Sequence, residues 1–163
     1  MEISKELIRT YSGNDSHAMA IAMHNLTGWP IHTLTVVCRD RTGMPHSWVQ
    51  SPDGGGFDIS GSFDVSTLPD KYMPIINVST GTAERNKKYR THMEYSSHST
   101  VNEFVEELKD FYDMEWGGLD FSTFFLPTLW QKVEAAQPVA IACLRSHFPD
   151  LPLVCEGTPV PSP

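Results

Sequence analysis

The sequence predicts an α+β domain, and three observations carry that prediction. Residues 16–27 form an apolar helical stripe with marked ends. Residues 31–59 then break into short β-branched or aromatic runs separated by turns rich in Gly, Pro and Asp. Helical periodicity returns from Val101 onward. Strands and helices grouped in this way, rather than alternating, suit an antiparallel sheet with helices packed against it.

Each element has its own reasons. Glu2 to Arg9 is expected to make a short leading helix, and Tyr11 to Asp15 a polar turn in which Asn14 or Asp15 can cap the next helix. From Ser16 to Thr27, Met19, Ala22, Met23 and Leu26 fall at i, i+3, i+4 and i+7 and form one buried stripe. Gly28 stands where a C′ glycine belongs, and Pro30 prevents continuation. Ile31 to Cys38 is the first strand, Asp40 to Gly43 a turn, and His46 to Ser51 the returning strand. Pro52 to Gly56 is a second turn, and Phe57 to Ile59 a third, short strand. Further strands are expected at Met73 to Val78 and Tyr89 to Tyr95. Thr100 and Glu103 have capping-box spacing, and Val101, Phe104, Val105, Leu108 and Tyr112 continue as an amphipathic helix. An aromatic segment from Trp116 to Trp130 leads into a last helical region, which Pro138 is expected to divide. Residues 1–156 make one domain, and the Pro-rich residues 157–163 a disordered tail.

Length and charge restrict the functional classes. A chain of 163 residues fits one domain, and its 40% hydrophobic content is enough for a core. The formal charge of −8 argues against a nucleic-acid partner, since phosphate contacts need clustered Lys and Arg. The densest basic run, Arg85 to Arg90, reads as a solvated turn or hairpin. No stretch reaches the ~20 apolar residues of a membrane span, and the acidic amino terminus lacks the apolar centre of a signal peptide. Cys38, Cys143 and Cys155 are an odd set without a close pair, which suits a reducing compartment. The cytoplasm is therefore the expected location.

One constellation carries chemistry. Ser16 lies in the first turn of the apolar helix, where unpaired N–H groups and the positive end of the dipole stabilise an anion. His46 begins the second strand and Asp58 lies on the third. If those strands pair through the Pro52–Gly56 turn, the carboxylate can orient the imidazole. A base oriented by an acid and facing a nucleophile is the general logic of a catalytic triad. The plain alternatives are equally concrete: Ser16 as a capping residue, His46 as an ordinary strand residue and Asp58 as a turn cap.

The run from Ser16-His17 to Leu26-Thr27-Gly28-Trp29-Pro30 resembles the central helix of papain-like cysteine-peptidase and transglutaminase-like domains, in particular small bacterial and phage members. In those members the helix begins with Cys and ends in a Leu-Thr-Gly-x-Pro turn. Pro45-His46-Ser47-Trp48-Val49 and the Pro52–Asp58 segment are similar to that family's His and Asp strands, in the same order. The resemblance covers roughly residues 11–62. It implies a papain-like fold, with a central N-terminal helix on an antiparallel sheet and added C-terminal helices. It also implies acyl transfer on an amide or peptide-like bond, as hydrolase or deamidase, with Ser16 at the nucleophile position, His46 as general base and Asp58 as its orienting acid. No cofactor and no metal is implied, and the partner is a protein or peptide.

One departure from the family pattern matters. Position 16 holds Ser where the family has Cys. A thiol becomes a thiolate readily at a helix N-terminus beside an imidazole, whereas a hydroxyl depends wholly on a general base. Three readings stay open: a pseudoenzyme that binds, a serine-using hydrolase, or a replaced native Cys. The rival from another class is a non-catalytic acidic interaction protein of inhibitor type, steered by charge to a basic surface. Other candidates are weaker. His17 points about 100° away from Ser16 on a helix, His17 and His24 are seven apart rather than four, and His92, His98, Cys143 and Cys155 lack zinc spacing. Cys38 as nucleophile is disfavoured by its apolar strand. Gly54-Gly55-Gly56 lacks the Lys-Ser/Thr ending of a phosphate loop.

Overall fold

The computed structural model describes residues 3–13, 15–38, 41–73, 92–116 and 121–154. Among the described residues, five strands form one antiparallel sheet in the order β4-β3-β2-β1-β5. They are β1 Ile31–Cys38, β2 Arg41–Gln50, β3 Gly56–Asp58, β4 Gly61–Phe63 and β5 His92–His98. The longer helices among the described residues are α1 Lys5–Tyr11, α2 Ser16–Thr27, α3 Val101–Trp116 and α4 Leu126–His147. The protein is therefore α+β. Among the described residues no helix is long and apolar enough to cross a membrane.

Helix α2 spans Ser16–Thr27, the residues its periodicity marks. Gly28 closes it at φ 71°, the left-handed conformation that glycine adopts without strain, and its N–H bonds the His24 carbonyl at 2.7 Å. The single stripe expected from the sequence is corrected: every residue from Ser16 to Met23 is buried, and Leu26 with them. Ala18, Ala20 and Ala22 present little bulk, so the sheet can approach one side of α2 and α4 the other. The main core forms around this helix, with Ile31, Val49 and Phe57 from the sheet, Phe104 and Leu108 from α3, and Val133 and Ala140 from α4. The chain beyond α4 returns to α2, where the Val154 N–H bonds the Leu26 carbonyl at 2.8 Å.

The pleat assigns alternate residues of β2 to opposite faces. Val49 joins the main core beneath α2, whereas Trp48 joins a second, smaller cluster with Leu34, Val36, Leu68 and Tyr72. A 3-10 turn, Val65–Thr67, and helical residues 68–73 cover that second face.

Several boundaries differ from expectation. The leading helix starts later, at Lys5, because the Ser4 hydroxyl caps it by accepting from the Leu7 N–H at 3.2 Å. Strand β2 begins at Arg41, within the expected turn, since Thr42 and Gly43 pair with Val37 and Val36. A two-residue connection after Asp58 lets a fourth strand, Gly61–Phe63, fold back on β3. Strand β5 covers His92–His98; residues 89–91 of the Tyr89–Tyr95 expectation lie outside the described residues, and pairing with β1 carries the strand past Tyr95 to His98. Pro138 does not divide the last helix: α4 runs unbroken with Pro138 on its exposed side, and its packing against α2 outweighs the lost hydrogen bond. The capping box before α3 forms as its spacing implies, with the Glu103 N–H on Thr100 Oγ1 at 3.3 Å and the Thr100 N–H on Glu103 Oε2 at 3.1 Å. Asn14, the Arg85–Arg90 run, Cys155 and the 157–163 tail lie outside the described residues, as do the side chain of Cys38 and all but Met73 of the Met73–Val78 strand; Met73 itself is helical.

Candidate active site

His46 and Asp58 meet. His46 Nε2 lies 3.0 Å from Asp58 Oδ2, with both side chains buried, although β2 and β3 pair only at Val49–Phe57 and Gln50–Gly56. Both side chains occupy the Trp48 face of the sheet. The imidazole stacks between Trp48, at 5.9 Å between ring centroids, and Tyr72, at 5.5 Å. Asp58 is held twice more, its Oδ1 accepting from the Ser60 N–H at 2.7 Å and its main-chain carbonyl facing the Cys143 thiol at 3.7 Å. Burial raises the Asp58 pKa, but the hydrogen bond and charge of His46, the Ser60 N–H and Lys71 outweigh it and hold the carboxyl below its ordinary value. Asp58 is then an ionised acceptor at neutral pH, so His46 Nε2 carries the proton of that bond. In the neutral ring this leaves the lone pair on Nδ1, which is buried and, among the described residues, without a hydrogen-bond partner.

Ser16 lies at the amino end of α2, beside the peptide that follows His46. Its hydroxyl accepts from the backbone N–H of Ser47 at 3.4 Å and makes no hydrogen bond to His46. Its own N–H is taken by the Gly13 carbonyl at 3.0 Å. Asp15 occupies the N-cap position without capping through its side chain, and its carboxylate instead pairs with Lys132 of α4 at 2.6 Å. Ser16 is 1% exposed and His46 0%. The structure thus joins the base to its acid and brings the hydroxyl of Ser16 to the peptide immediately after the base.

A second polar pair at this junction was not foreseen. His17 Nδ1 lies 2.8 Å from Ser47 Oγ, and Thr33 Oγ1 is 3.3 Å from the same oxygen, all three residues being buried on the α2 face. Burial pushes the His17 pKa down to about 4, with the neighbouring His46 adding to the effect, so this ring is neutral at pH 7. The sequence held one usable signal for the pair. Two consecutive polar residues at the start of a buried helix need partners, and Ser47 is the polar residue that the β2 pleat turns toward that helix. His17 also lines a cavity of about 150 Å³ with Asp15, Tyr112, Phe125, Leu129 and Lys132.

The other sequence candidates are dispersed. His24 Nδ1 bonds the Trp29 carbonyl at 2.7 Å at the far end of α2, His92 pairs with Glu94, and His98 pairs with Glu107. Among the described residues no group of three or more His, Cys, Asp or Glu is arranged to hold a metal ion. Comparison with protein-family models finds no match, and searches of curated proteins and of solved structures likewise return none.

Proposed function

We propose that this chain is a papain-like α+β domain built for acyl transfer on amide or peptide-like bonds, with Ser16 as nucleophile, His46 as general base and Asp58 as the acid that orients it. The observation that carries the reading is the buried His46–Asp58 bond, which turns the lone-pair nitrogen of His46 away from the carboxylate and leaves it unpartnered among the described residues. In the reaction Ser16 Oγ leaves the Ser47 N–H and bonds to the substrate carbonyl carbon. Its proton passes to His46 Nδ1, and Asp58 stabilises the imidazolium. The C–N bond then breaks, His46 returns the proton to the departing amine or ammonia, and water activated by the same ring hydrolyses the ester. The buried arrangement is the resting state, and substrate enters by displacing the cover over His46.

Burial also favours a second reading. With Ser16 and His46 shut in and the Ser16 N–H committed to Gly13, the same scaffold suits a non-catalytic acidic protein that binds a partner through its surface. One experiment separates the two. Ser16→Cys supplies a nucleophile that ionises more easily, and its reaction with p-nitrophenyl acetate is followed by nitrophenolate release. The enzymatic reading expects release at least about a hundredfold faster than in Ser16→Cys/His46→Ala, the lower range for a positioned general base. Equal rates in the two proteins would eliminate acyl transfer and leave the binding role.

A further inference from the structure

Two consecutive residues of α2 are stitched to one residue of β2. The Ser47 N–H reaches Ser16 Oγ at 3.4 Å, and the Ser47 hydroxyl meets His17 Nδ1 at 2.8 Å. The first contact is long and weak, while the second has good geometry and is braced by Thr33 at 3.3 Å. Ser47 is bonded directly to His46. The place of the imidazole relative to the Ser16 hydroxyl is therefore set where His17 grips Ser47. Nothing else in the triad reading uses His17, although a buried imidazole is costly to keep.

We infer that His17 is a positioning residue: through Ser47 it fixes the strand segment carrying His46 against the amino end of α2, and so sets the approach of the residue-16 nucleophile to its base. The inference rests on the proposed acyl-transfer reading and deepens it. Its physical basis is the pleat. His46 and Ser47 point to opposite faces, so the base on one face can be registered with a helix on the other only through the backbone between them. A hydrogen bond from the helix to the Ser47 side chain is the shortest rigid link available. Displacement of the reacting groups by about 1 Å can cost on the order of a hundredfold in rate.

Two substitutions separate positioning from space-filling. His17→Asn keeps a polar atom close to the place of Nδ1, whereas His17→Leu fills the volume without a hydrogen bond. Each is combined with Ser16→Cys, as is Ser47→Ala, in the full-length chain. The rate of alkylation of the introduced thiol by iodoacetamide is followed from pH 5 to 9 by peptide mass mapping, with a thermal melt confirming the fold. With His17 intact, the thiol reacts at low pH as an imidazole-paired thiolate. His17→Leu slows the reaction near pH 6 at least about tenfold and moves the profile toward that of an ordinary thiol near pH 8.5. His17→Asn restores most of the rate, Ser47→Ala reproduces His17→Leu, and combining His17→Leu with Ser47→Ala adds nothing further, as expected of residues acting through one bond. If His17→Leu fails to fold, Ser47→Ala decides. An unchanged rate and profile in His17→Leu or Ser47→Ala, with a large loss in His46→Ala, would overturn the positioning role and spare the acyl-transfer reading. Indifference to His46→Ala as well would overturn both.

Discussion

Replacing His17 by Gln removes one titratable group from the centre of the protein, and the effect on stability can be worked out in advance. The His17 imidazole has an ordinary pKa of 6.5, and burial, reinforced by His46, lowers it to about 4 in the folded chain. Between these values the unfolded chain binds a proton that the folded chain refuses, so acidification favours unfolding. Stability from this group is complete above pH 6.5 and is lost as the pH falls toward 4. At ~1.4 kcal/mol per pH unit, the loss between pH 7.5 and 4.5 is about 2.5 kcal/mol. Urea unfolding followed by circular dichroism at the two pH values measures it. With a slope of roughly 1–3 kcal/mol per molar urea, the native midpoint falls by about 0.8–2.5 M more than that of His17→Gln. Carboxylates such as Asp58, whose pKa is depressed, lose their contribution only at lower pH and contribute equally to both proteins. The readout is therefore the difference between two pH dependences, which any cost of the substitution at neutral pH leaves untouched. Equal pH dependence in the two proteins would refute the account of His17 as a buried neutral base.

The β3–β4 turn that holds Asp58 offers another test. Gly61 pairs with Asp58 at φ 100°, and an added Cβ would lie 2.7 Å from His147 Nε2. Gly61→Ala is expected to cost about 1–3 kcal/mol, read as a lower melting temperature, and to slow nitrophenolate release in the Ser16→Cys background; an unaltered melting temperature would contradict the strain argument. Cys143 is buried at 0% exposure beside the Asp58 and Ile59 carbonyls, and burial, followed by the Asp58 charge, pushes its thiol up to about 12. It is expected to stay unmodified by a disulfide reagent in the native protein and to react within minutes in denaturant, and rapid labelling of the folded chain would reverse that assignment.

Local elements were legible in the sequence because their determinants are local. The Met19–Leu26 periodicity, the Gly28 and Pro30 stop and the Thr100–Glu103 box each act within a few residues, and the corresponding helices form where those signals lie. Elements that depend on distant partners were misjudged. Strand β4 is three residues long and owes its existence to pairing with β3, β5 runs past Tyr95 to His98 through its pairing with β1, and α4 runs through Pro138 because it is packed on α2. The site divides in the same way. The strand order that brings Asp58 to His46 followed from the turn between them, but the His17–Ser47 bond joins residues thirty apart and has no local signature.

The amino-acid sequence by itself determined the α+β class, the central helix and the candidate residues Ser16, His46 and Asp58, since periodicity, caps and turn residues act over a few bonds. Only the tertiary structure decided which partners those residues take. It bonded His46 to Asp58, turned Ser16 to the Ser47 peptide and buried the whole group. The reason is the β-sheet pleat. Neighbouring residues of one strand face opposite layers, and which layer receives which residue depends on everything packed on both sides.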